Sequence, residues 1–234
     1  MTEQEWIHCP GLYRMLEFLG NGITARKLRL FGCACCRRIW HLLSDQRSRD
    51  ALEIAERFAD GLATRQEMDE AYAPARMVVE DTLVFSDPDQ PWINNYFAGY
   101  HAALAAMCLV SGDIASWEAS TEATKGVRGA VQRKGNQDVV SMERYQQAVL
   151  LRDIAGNPFR ALPTIDPAIL AWKDGTVRRL AQVIYDERAF LDMPVLADAL
   201  EEAGCQDSTI LDHLRGPGPH VRGCGPLDLL LGKE

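Results

Sequence analysis

Apolar side chains recur at intervals of three and four residues along nearly the whole chain, and no stretch alternates with the two-residue period of a half-buried strand. That period predicts helices and argues against a sheet. Residues 11–19 carry Leu12, Met15, Leu16 and Leu19 on one side, and Gly20-Asn21-Gly22 stops them. A second helix is expected from a cap at Asn21 or Thr24 to about Leu43, and a third over 49–58. Thr64 followed by Glu67 has the spacing of a capping box, opening a helix towards Val79. Ser86-Asp87-Pro88-Asp89-Gln90-Pro91 is a loop, 94–117 a long buried helix, and 141–154 another that Gly156-Asn157-Pro158 ends.

The last third has more breakers. Pro158, Pro163 and Pro167 mark an extended connection, and Asp174-Gly175-Thr176 leads into a helix with Val177, Leu180, Ala181 and Ile184 on one face. Asp192 and Pro194 open the next helix, and a short one follows over 208–214. Residues 215–224, rich in glycine and proline, cannot be regular structure, and 227–231 form a hydrophobic turn. The expected fold is all-α, a multi-helix orthogonal bundle with an irregular Gly/Pro-rich C-terminal loop. Its domains are expected to be 1–155, with a divergent central insert at about 70–140, and 156–234 packed on it.

Composition narrows the partners. Twenty-five Lys and Arg against 33 Asp and Glu leave a net charge of −8, which disfavours general binding to nucleic acid or an anionic membrane. No run approaches the roughly 20 apolar residues of a membrane span. The opening Met1-Thr2-Glu3-Gln4-Glu5-Trp6 is not that of a secretory signal. The expected location is therefore the cytoplasm, where all seven cysteines stay reduced. Another protein is the expected partner.

Within this acidic chain one segment reverses sign. No acidic residue lies between Glu17 and Asp45, while Arg26, Lys27, Arg37, Arg38 and His41 share one side of the second helix, opposite Leu28, Phe31, Cys35, Ile39, Leu42 and Leu43. Those five residues are a candidate docking face for an acidic partner, the alternative being pairing with acids of neighbouring helices. Cys33, Cys35 and Cys36 on the same helix have no zinc-finger spacing and are expected to pack as small apolar groups.

Cys205, His213, His220 and Cys224 lie within twenty positions and supply four N/S donors, a set that suits tetrahedral zinc. The alternative is that His213 caps its helix while the two cysteines pack inside. In the same loop Arg215, His220 and Arg222, set among glycines and prolines, are candidates for holding an anion, unless the arginines tie to Asp212, Asp228 or a carbonyl. The sequence carries no nucleophile elbow, phosphate loop, dinucleotide fingerprint or His-Glu-x-x-His, so no catalytic residue is singled out. Tyr185-Asp186-Glu187-Arg188 reads as a helix end. Trp92, Tyr96 and Tyr100 have helix-face spacing, as expected of core residues.

Two blocks carry a resemblance. One is Arg26-Lys27-Leu28-Arg29-Leu30-Phe31 with Cys33-Ala34-Cys35-Cys36-Arg37-Arg38-Ile39-Trp40. The other runs from Leu151-Arg152-Asp153-Ile154 and Gly156-Asn157-Pro158-Phe159-Arg160 to His213-Leu214-Arg215-Gly216-Pro217-Gly218-Pro219-His220-Val221-Arg222-Gly223-Cys224. Over about the first 65 and last 85 residues the chain resembles a paralogous family of proteins in large-genome environmental bacteria. The resemblance implies no activity and transfers no catalytic residue. The expectation is an interaction or regulatory accessory module without catalysis of its own. The alternatives are a zinc-binding protein, structural or hydrolytic, and a defence or toxin-neutralising accessory protein.

Overall fold

The computed structural model describes residues 1–84, 93–111, 118, 119, 121, 122, 125, 137–161 and 163–233. The loop at 86–91, the aromatic side chains Trp92 and Tyr96, and nearly all of 125–136 lie outside the described residues. Among the described residues the chain is all-α, with eleven α-helices and no strand. They are α1 Glu3–His8, α2 Leu12–Leu19, α3 Ala25–Arg38, α4 Gln46–Ala59, α5 Arg65–Val84, α6 Ile93–Val110, α7 Gln137–Ala155, α8 Pro167–Glu187, α9 Met193–Glu202, α10 Ser208–Arg215 and α11 Gly225–Leu231. No described helix is long and apolar enough to cross a membrane. The chain divides into two compact units, Cys9–Ala148 and Met1–His8 with Val149–Glu234.

In the Cys9–Ala148 unit α4 packs against α3, α5 and α6, and α5 against α6. The Thr24 side chain accepts the Lys27 N–H and caps α3. Thr64 and Glu67 form the reciprocal capping box at α5, the Thr64 N–H reaching the Glu67 carboxylate at 2.6 Å and the Glu67 N–H reaching Thr64 Oγ1 at 3.2 Å. α3 is more enclosed than a two-faced wheel predicts, with every residue from Arg29 to Cys36 buried. Its glycine, alanine and cysteines give it a thin profile that neighbours can surround. The helix also stops five residues before Leu43, at Arg38, and Trp40–Leu42 form a 3₁₀ turn. That turn sets the Trp40 ring beneath the guanidinium groups of Arg37 and Arg49, at 4.4 and 5.2 Å.

The other unit has its own core. Val177, Ile184 and Tyr185 of α8 meet Leu196 and Leu200 of α9, Ile210 and Leu214 of α10, and Leu227 and Leu230 of α11. α8 is two helical pieces across a kink at Trp172–Gly175, which fits the start signal at Asp174-Gly175-Thr176. Residues 227–231, expected as a turn, close as the helix α11, because Pro226 sits in the first turn where its missing N–H costs nothing. Trp6 of α1 is buried in this unit. Its indole N–H donates to the Gly156 carbonyl at 3.1 Å, and its own carbonyl accepts from Arg152 at 2.8 Å.

Candidate metal centre

The last turn of α7 presents Asp153 between Leu150, Leu151 and Ile154, all at most 1 % exposed, so the carboxylate is carried inward with its apolar neighbours. α10 ends at Arg215 and offers His213 from its final turn. The chain then runs irregularly to Cys224, which stands just ahead of α11. Gly218 is required in this passage. Its φ is +71°, and a Cβ there would lie 2.9 Å from the His220 backbone nitrogen.

These elements bring Asp153, His213, His220 and Cys224 together, with one donor atom from each inside a 4.8 Å span. His220 Nδ1 is 2.8 Å from Asp153 Oδ1, and the Val221 N–H donates to Oδ2 at 3.1 Å. His213 Nε2 lies 3.0 Å from the same Oδ1 and 3.2 Å from the Cys224 sulfur. Asp153 and Cys224 are sealed from solvent, His220 nearly so, and His213, with 29 % of its side chain exposed, forms the outer edge. His220 Nε2 is buried without a hydrogen-bond partner.

The electrostatics follow from this enclosure. Burial pushes the Asp153 carboxyl up, yet hydrogen bonds from His213 and His220 outweigh it and hold the group below the usual carboxylate range. Burial lowers His220, but Asp153 reverses that and leaves its pKa raised. The Cys224 thiol is driven well above the ordinary thiol range, first by burial and then by the Asp153 charge. One proton on His213 Nε2 can serve only one of its two close acceptors. A divalent cation instead satisfies carboxylate, imidazoles and thiolate together, deprotonating the sulfur as it binds. Tetrahedral zinc, with bonds of about 2.0–2.3 Å, needs donor atoms about 3.3–3.8 Å apart, so the contacts of 2.8, 3.0 and 3.2 Å would widen by about half an ångström to take the ion.

Three of the four residues in the sequence-derived metal set therefore converge, and the fourth does not. Cys205 follows α9 and packs in the apolar cluster, its N–H bonded to the Leu200 carbonyl at 2.9 Å. Asp153 takes the fourth place. The available signal was a carboxylate one turn after Val149 and Leu150, flanked by Leu151 and Ile154.

The anion set does not converge in the same way. Arg215 pairs with Asp198 and Glu201 at 2.8 and 2.5 Å. Arg222 donates to the carbonyls of Tyr185 and Asp186 at the end of α8, with its guanidinium over the Tyr185 ring. His220 is held by Asp153. On the N-terminal cationic face, Arg26 pairs with Asp60 at 3.0 Å, Arg37 with Glu56 at 2.8 Å and Arg38 with Glu143 at 2.8 Å. Pairing with neighbouring acids is what the geometry gives these three. Lys27 is half-buried, and His41 is exposed on the 3₁₀ turn. Cys33, Cys35 and Cys36 are buried with their thiols pushed well up, as packing groups are.

Compared with known proteins, the chain matches no family model, no curated protein and no solved structure. The site's own chemistry therefore carries the functional argument.

Proposed function

We propose that this protein is a helical accessory module whose C-terminal unit binds one zinc ion through Asp153, His213, His220 and Cys224. The supporting observation is the convergence of four donor atoms of mixed O, N and S type within 4.8 Å, three of the residues being largely or fully buried. Imidazole and thiolate donors favour zinc over magnesium or calcium, which take oxygen ligands. Four protein ligands complete a tetrahedron and leave no open position for substrate, so the site is structural rather than hydrolytic. A fully buried Cys224 with a raised thiol pKa is also a poor nucleophile.

Elemental analysis of the purified chain tests this reading. The expected result is one zinc per chain, retained through gel filtration and lost from a His213→Ala, Cys224→Ser double variant. Folded wild-type protein that takes up no zinc at micromolar free metal would end the proposal.

A further inference from the structure

We infer that zinc at this centre acts as a latch on the loop 216–224, so that metal occupancy regulates access to the C-terminal segment. The inference rests on the metal centre proposed above and assigns it a regulatory consequence. His213 stands in the last turn of α10 ahead of the loop, His220 within the loop and Cys224 at its end, while Asp153 belongs to α7. One ion on all four grips the loop at two points, His220 and Cys224, and ties it both to α10 through His213 and to α7, which sequence places more than sixty residues away.

The backbone of the loop has few bonds of its own, Gly216 N–H to the His213 carbonyl and Cys224 N–H to the Val221 carbonyl. Pro217 and Pro219 have no backbone donor, and the segment has no regular structure. Its anchors through side chains are His220 and the Val221 amide on Asp153, Cys224 against His213, and Arg222 on the carbonyls ending α8. Two of these pass through Asp153, the same carboxylate that takes the metal. Loss of the ion removes the joint centre that strengthens these contacts and leaves the loop held only by the Asp153 hydrogen bonds, the His213–Cys224 contact and Arg222, so the closed loop is less stable without metal. Opening uncovers Cys224 and the adjoining Leu227, both fully buried when the latch is closed. Exchange of the ion starts at His213, the ligand on the solvent edge.

Limited trypsin digestion of the intact chain reads the latch directly. The Arg215–Gly216 and Arg222–Gly223 bonds flank the gripped residues. With one equivalent of zinc in place of a chelator, cutting at both bonds slows by about tenfold or more, and cutting within 9–148 is unchanged. Stoichiometric zinc binding with unaltered cutting at these two bonds overturns the latch and leaves the metal centre standing. Absence of zinc binding overturns both. Wild-type protein suffices throughout, so a misfolded variant cannot confuse the result.

Discussion

Asp153 and His220 meet at 2.8 Å across 67 positions of sequence, and the same carboxylate oxygen lies 3.0 Å from His213. A single side chain on α7 thus gathers both histidines of the C-terminal segment. Its removal leaves His220 and the Val221 amide without their acceptor in a closed space and takes from His213 one of its two close partners.

Asp153→Ala is accordingly expected to destabilise the protein by about 3 kcal/mol, because breaking a buried charged network strands its partners. Asp50→Ala, at an exposed position of α4, should fall within about 0.5 kcal/mol of the wild type. Urea unfolding at neutral pH measures both. Equal effects would remove Asp153 from its central place.

Gly218→Ala tests how tightly the loop backbone is specified. The new Cβ meets a positive φ and the His220 backbone nitrogen at 2.9 Å, so His220 must move away from Asp153. The expected cost is about 1–3 kcal/mol. Zinc affinity should fall with it, measured by competition with a chromophoric chelator. Gly22→Ala, where nothing lies within 4 Å of the added carbon, is the control.

The arginines of α3 are expected to matter for stability. Glu56 and Glu143 have only 4 and 5 % of their side chains exposed, and Arg37 and Arg38 are their partners. Arg38→Ala leaves Glu143 buried beside Gln147 and should cost about 2–3 kcal/mol. Arg38→Ala with Glu143→Gln should recover part of that loss. A thermal-melt double-mutant cycle showing no coupling would argue against the pairing.

Thiol alkylation should sort the seven cysteines. In zinc-loaded protein Cys33, Cys35, Cys36, Cys205 and Cys224 are buried and should stay unmodified until the protein unfolds, while half-buried Cys9 reacts first. Burial and then nearby Glu122 and Glu118 push the Cys108 thiol up to about 11. Thiolate is the reactive form, so its rate should climb about tenfold per pH unit from pH 8 towards that value. Mass spectrometry of iodoacetamide-treated protein follows each site. Rapid labelling of Cys224 in zinc-loaded native protein at pH 8 would contradict its enclosure.

The sequence by itself determined the helices wherever periodicity and caps coincide. Thr24, the Thr64–Glu67 box and the Asp174-Gly175-Thr176 break mark starts or kinks within a few residues, since those signals are local hydrogen bonds and backbone angles. It also marked the His213–Cys224 stretch as unusual, because clustered ligands between prolines have no use in a regular element. Tertiary structure alone decided what that stretch meets. Asp153 reads locally as one polar residue on a helix, and Cys205 is nearer in sequence to the other donors. Only packing turns Cys205 into the apolar core and Asp153 onto the histidines. The fate of Arg26, Arg37 and Arg38 was decided the same way. A helical wheel shows that three cations share a face, but not that Asp60, Glu56 and Glu143 are folded against it. Local periodicity fixes which side of a helix is apolar, whereas long-range contacts depend on how whole helices pack, and that is where the candidate metal centre arises.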